Sequence, residues 1–111
     1  MYASDHQHIK AKMIPGTKYM HAHTSCPSGW GFDPKYTVKI GRLAIETGLY
    51  VLYEIEYSKW RLTGPSEKLL NKKLRPVRDY FEAQTRFKSI TNSLISQVQK
   101  QVDEKWAGFA P

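Results

Sequence analysis

Three groups of residues in this 111-residue chain have types and spacings that could do chemistry. The first surrounds Cys26, the single cysteine, in Ser25-Cys26-Pro27-Ser28-Gly29-Trp30-Gly31. A lone cysteine following a strand commonly packs as a small buried hydrophobe. The neighbours of Cys26 suit a second use. Pro27 removes a backbone N–H and fixes the chain beside the sulfur. Gly29 and Gly31 let the chain turn tightly enough to wrap an inserted group, and Trp30 can shield that group from water. A thiolate ligand to iron needs such a loop, with a dry setting and nearby backbone N–H groups that tune the potential.

The second group is His6, His8, His21 and His23, two His-x-His pairs. On strands, alternate residues share a face and each pair could chelate a transition metal. No carboxylate or cysteine completes either pair, so solvated or structural histidines are the simpler reading. The third group is Lys68, Lys72, Lys73, Arg75 and Arg78, which could dock an acidic partner or a phosphate. A solvated basic connection over 65–75 is the plainer alternative.

Composition narrows the classes. Hydrophobic residues make up 41% and aromatic residues 13% of the chain, too much for a disordered tail. That is a large apolar share for one small domain, so part of it is expected to face a partner. Seventeen Lys and Arg against ten Asp and Glu give a formal charge of +7. Such a balance is compatible with nucleic acid, an anionic cofactor or an acidic protein, but no nucleic-acid recognition module is visible. One cysteine excludes an internal disulfide and fits a reducing compartment. No apolar run is long enough to span a membrane, and the first residues lack the apolar core of a signal peptide. The expectation is a cytoplasmic protein with neither a membrane nor a nucleic-acid partner.

The elements that must position these residues can be drawn coarsely. Residues 1–17 form a lead-in, helical or irregular over 1–13, ending at the turn signal Ile14-Pro15-Gly16. Lys18 to Thr24 fits a short strand, and Ser25 to Phe32 a loop. Asp33-Pro34 opens the clearest helix, with Tyr36, Ile40, Leu43, Ala44 and Thr47 on its buried face and Gly48 at its end. Leu49 to Ile55 reads as a largely buried strand, returning through Trp60 to Thr63 in a hairpin closed by Gly64-Pro65. A short helix from Pro76 to about Gln84 precedes a last one from Thr91 or Asn92 to Trp106, with Ile95, Val98, Val102, Trp106 and Phe109 facing inward. The class is α/β, with two or three strands and about three helices over residues 1–111. A sheet that small is not self-sufficient, so the pattern suits the end of a larger domain.

Several motifs in one register resemble a known family. Thr24-Ser25-Cys26-Pro27-Ser28-Gly29-Trp30, then Gly41-Arg42-Leu43-Ala44-Ile45-Glu46-Thr47-Gly48, Leu52-Tyr53-Glu54-Ile55-Glu56 and Arg75-Pro76-Val77-Arg78-Asp79-Tyr80-Phe81-Glu82-Ala83-Gln84-Thr85-Arg86-Phe87 follow in order. Together with Val102-Asp103-Glu104-Lys105-Trp106 near the end, they resemble the C-terminal part of the thiamine-diphosphate-binding β subunit of 2-oxoacid:ferredoxin oxidoreductases, especially the pyruvate enzyme. The resemblance runs from about Lys18 onward. It implies an α/β fragment of a thiamine-diphosphate-binding domain, and an enzyme complex that oxidatively decarboxylates a 2-oxoacid to an acyl-CoA while passing electrons to ferredoxin.

The resemblance also implies that Cys26 is one of four ligands to the 4Fe-4S cluster nearest the thiamine. The other three cysteines, and the residues that hold thiamine diphosphate and magnesium, belong to the family's N-terminal part and have no counterpart here. Alone, then, the chain is expected to be inactive. Its implied partners are the rest of the β subunit, the other subunits and ferredoxin, with coenzyme A and the oxoacid in the full enzyme. No catalytic residue is assigned. Ser25 and Ser28 are mild departures from the family's usual Pro and Thr, and Tyr57-Ser58 stands where Asn-Gly is common. A different class of reading keeps the fold but makes the chain a non-catalytic interaction domain docking on partner subunits.

Overall fold

The computed structural model describes residues 4–109. In chain order they form α1 (Ser4–Met13), α2 (Pro27–Trp30), α3 (Thr37–Glu46), β1 (Tyr53–Glu56), β2 (Lys59–Leu62), α4 (Gly64–Leu69), α5 (Val77–Glu82) and α6 (Asn92–Phe109). Short 3-10 turns at Pro34–Tyr36 and Thr85–Phe87 precede α3 and follow α5. The architecture is a small mixed α/β domain, in keeping with a C-terminal fragment of a larger one; α2, α4 and α5 are helices of four to six residues.

The sequence explains how α3 begins. Asp33 accepts a hydrogen bond from the Lys35 N–H at 3.0 Å, and Pro34 occupies the first helical position. The first turn tightens to 3-10 geometry before α3 starts. That change of pitch turns Tyr36 out of phase with the buried stripe. Tyr36 is 43% exposed rather than buried, with Lys35 and Lys39 over its ring. Ile40, Leu43, Ala44 and Thr47 are buried as their spacing predicts. At the other end Gly48 takes φ +76, a left-handed value that L side chains rarely adopt.

Ile40, Leu43 and Ala44 of α3 meet Val77, Tyr80 and Phe81 of α5, Ile95, Val102 and Trp106 of α6, and Leu62 of β2 in one core. Burying each such side chain contributes about 1.5–3 kcal/mol of transfer free energy. Thr91 accepts from the Leu94 N–H and caps α6.

The sheet is one antiparallel hairpin, with Tyr53 opposite Leu62, Glu54 opposite Arg61, Ile55 opposite Trp60 and Glu56 opposite Lys59. Tyr57 and Ser58 make the turn with φ of 49 and 65. Leu49 to Leu52 does not pair as a strand, because its backbone is engaged elsewhere. The Tyr50 N–H bonds to the Ala44 carbonyl, and the Leu52 N–H to the Ser66 hydroxyl. Nor is Lys18 to Thr24 a strand, since no described strand lies beside it to complete a ladder. Ring contacts of His21 and His23 with Tyr50, at 6.3 and 4.5 Å, attach that segment to the domain.

Candidate functional site

Cys26 sits where this attached segment enters the one-turn helix α2. The turn closes through Trp30 N–H to the Cys26 carbonyl at 2.9 Å and Gly31 N–H to the Pro27 carbonyl at 3.0 Å. Residues 27–30 are thus helical rather than loop, because Pro27 supplies the φ of a first helical residue and Gly31 ends the turn at φ +74. The thiol is exposed in this chain rather than packed in its core. Its sulfur lies 3.8 Å from the Ser28 hydroxyl. The side chain makes no cap hydrogen bond of ordinary geometry. Even so, the Gly29 N–H and then the Ser28 hydroxyl draw the thiol pKa below its usual value, against the opposing effect of burial. A lowered pKa favours the thiolate, the form that binds metal.

Gly29 leaves space at that sulfur. A Cβ there would fall 3.2 Å from Cys26 Sγ, tighter than most carbon contacts. The donor set fits an iron–sulfur cluster as one ligand: an exposed, thiolate-prone sulfur over a glycine. Among the described residues no group of three or more His, Cys, Asp and Glu could hold a metal ion.

The other side of the turn is braced by the 3-10 segment Thr85–Phe87. The Thr85 N–H and hydroxyl both donate to the Gly31 carbonyl at 2.9 Å. The approach is so close that a Cβ on Gly31 would overlap the Thr85 hydroxyl. Next to it, the guanidinium carbon of Arg86 lies 4.0 Å from the centroid of the Trp30 ring. Arg86 Nε donates to Gln84 Oε1 at 2.8 Å, and its Nη2 to the Tyr80 hydroxyl at 3.0 Å. His23 also contacts Trp30, at 5.7 Å between ring centroids. Burial, then the charges of Arg86 and His21, hold the His23 pKa below its ordinary value, so it is neutral near pH 7.

Among the described residues the histidines join no group of three or more metal-ligating side chains. His21 and His23 both contact the Tyr50 ring, His21 reaching Tyr19 as well and His23 reaching Trp30, and the His6 side chain lies outside the described residues. The basic stretch is also divided. Arg75 bonds Glu46 and Asp79, Arg78 reaches Glu82 and Asn92, and the exposed Lys68, Lys72 and Lys73 follow one another at the end of α4 and beyond. Arg86 is the residue whose placement the sequence did not reveal. Its only signal was position, one residue after Thr85 in the motif that starts at Arg75.

No family model matches the chain. Individual proteins do. Over 95 residues, 85% of this chain and 31% of the relative, it is 44% identical to pyruvate synthase subunit PorB of Methanothermobacter marburgensis. The PorB subunit of Methanocaldococcus jannaschii is 42% identical over 96 residues, 86% of this chain and 30% of the relative. Ketoisovalerate oxidoreductase subunit VorB of Pyrococcus abyssi is 35% identical over 97 residues, 87% and 30% of the two chains. The chain spans about three-tenths of the length of these relatives. With the ordered motifs from Cys26 to Trp106, this identity places it as a segment of the β-subunit family of 2-oxoacid:ferredoxin oxidoreductases, to which the chain belongs.

Proposed function

We propose that this chain is the part of a 2-oxoacid:ferredoxin oxidoreductase, pyruvate-type, that supplies the Cys26 thiolate as one ligand of a 4Fe-4S cluster. The observation that carries the reading is the exposed, thiolate-prone sulfur over Gly29, in a chain 44% identical to a pyruvate synthase subunit. When bound, the cluster takes up and passes on single electrons. In the assembled enzyme, a 2-oxoacid and coenzyme A yield an acyl-CoA and carbon dioxide, and the two electrons released pass one at a time to ferredoxin. Thiamine diphosphate and magnesium are held by the rest of the subunit, and the isolated chain turns nothing over.

The work of this chain's own residues is local. Cys26 presents a sulfur, Gly29 leaves room beside it, and Trp30 anchors the end of the turn between Arg86 and His23. Thr85 fixes where the turn ends.

Anaerobic assembly with the missing cysteine-bearing segment tests the reading. Wild type gains iron and a brown absorbance, and Cys26→Ser loses the cluster signal. An intact cluster in that variant defeats the ligand role. It would favour the alternative of a non-catalytic docking domain, to which the 64% exposed Ile55 and 74% exposed Tyr57 on the hairpin are suited.

A further inference from the structure

Arg86 is held more firmly than an exposed arginine needs to be. Four groups fix it: the Trp30 ring at 4.0 Å, the Phe87 ring at 4.4 Å, Gln84 Oε1 and the Tyr80 hydroxyl. Two of these partners are themselves immobile. Gln84 is 2% exposed and bonds the Tyr80 carbonyl at 2.8 Å, while Tyr80 is 7% exposed in the core. All four are neutral. Among the described residues no carboxylate pairs with Arg86, whereas Arg61 and Arg78 each have one and Arg75 has two. No described carboxylate offsets the guanidinium, and the domain places it on Trp30, whose N–H closes the turn onto the Cys26 carbonyl.

We propose that Arg86 is a positioning residue that holds a fixed positive charge beside the Cys26 turn, raising the potential of the anionic group bound there. This rests on the reading of Cys26 as a cluster ligand. A core ligated by four thiolates is an anion, and reduction adds one more negative charge. A fixed cation nearby favours the reduced state, and a pinned one does so without reorganising. An Arg suits the place better than a Lys, because its planar group can stack on the indole and donate sideways to two acceptors.

The experiment uses the anaerobically assembled oxidoreductase and a redox titration followed by electron paramagnetic resonance. The signal lost in Cys26→Ser identifies the cluster to follow. In Arg86→Gln and Arg86→Met that signal and its iron stay, and its midpoint potential moves to a more negative value. Arg86→Lys returns most of the shift by restoring the charge. An unchanged potential in a neutral variant that retains the signal overturns the proposal and leaves the ligand reading intact. Failure of both neutral variants to assemble, with Arg86→Lys at the wild-type potential, assigns Arg86 a structural role only and also overturns it. If Cys26→Ser loses no signal, the ligand reading falls first.

Discussion

The indole N–H of Trp106, near the end of α6, donates to the main-chain carbonyl of Gly48 across 3.0 Å and 58 residues of sequence. The two residues need each other's shape. Gly48 ends α3 at φ +76, and a Cβ there would overlap Trp106 Nε1. Trp106→Phe keeps an aromatic ring against Phe109 but leaves a buried carbonyl without its donor, an expected loss of about 1–3 kcal/mol. Gly48→Ala adds about 1–2 kcal/mol of left-handed backbone strain and displaces the indole. Because the residues touch, the double variant should lose less than the sum of the two. Denaturant midpoints of the three variants measure this, and strict additivity would show that the contact carries no coupling.

Ser66 supports a second prediction. It is fully buried in α4, and its hydroxyl accepts from the Leu52 N–H at 2.8 Å. That bond ties the chain ahead of the hairpin to the helix behind it. Ser66→Ala removes the acceptor and should cost about 1–3 kcal/mol, against only a few tenths for Lys68→Ala in the same helix. Equal unfolding midpoints for the two variants would contradict the assignment.

How far the sequence could be read depends on whether a residue's partner is near in the chain. Asp33, Pro34 and Gly48 mark α3 because capping and left-handed termination are local. The α6 stripe of Ile95, Val102 and Trp106 is legible for the same reason, since spacing alone defines a helix face. The importance of Ser66 was hidden in a polar stretch, because its partner Leu52 lies 14 residues away across a hairpin. Leu49 to Leu52 has strand composition, yet its N–H groups go to Ala44 and Ser66 rather than to a ladder. In the candidate site, Cys26 stands out in the sequence because its neighbours Pro27, Gly29 and Trp30 are adjacent in the chain. The brace from Gly31 to Thr85 spans 54 residues, so only folding brings Arg86 to Trp30.

Acid should loosen the attachment of α1 to the hairpin. Lys10 reaches both Glu54 and Glu56 at 2.9 Å, and Arg61 reaches Glu54 at 2.7 Å. Burial pushes the Glu54 pKa up, but the bonds from Lys10 and Arg61 outweigh it and leave the pKa below its ordinary value. A depressed carboxyl pKa stabilises the fold above the unfolded value, about 4.3, and that contribution is lost as pH falls through the folded one. Wild type should therefore exceed Glu54→Gln in stability near neutral pH, with the gap closing below about pH 4. Hydrogen exchange in α1 should rise in the variant at neutral pH while α6 is unchanged. A gap that widens on acidification would reverse the sign and refute the account.

Gly29→Ala separates folding from the chemistry of the turn. Gly29 lies inside α2 without a positive φ, so alanine suits its backbone and should stabilise that turn by up to about 1 kcal/mol. The new methyl would stand 3.2 Å from Cys26 Sγ, with no other neighbour as near except the Cys26 Cβ at 3.9 Å. The sulfur must rotate away or accept a crowded approach. The expected result is an unchanged or slightly raised unfolding midpoint with a several-fold slower alkylation of Cys26 by iodoacetamide. In the assembled enzyme the same variant should bind less iron, since the methyl occupies space that a metal on that sulfur would use. Pro27→Ala supplies the contrast: it loosens the start of the turn and leaves the face of the sulfur open. Wild-type alkylation and full iron in Gly29→Ala would mean that the glycine serves only the chain's conformation. Slowed alkylation with intact folding would assign it to the sulfur's access.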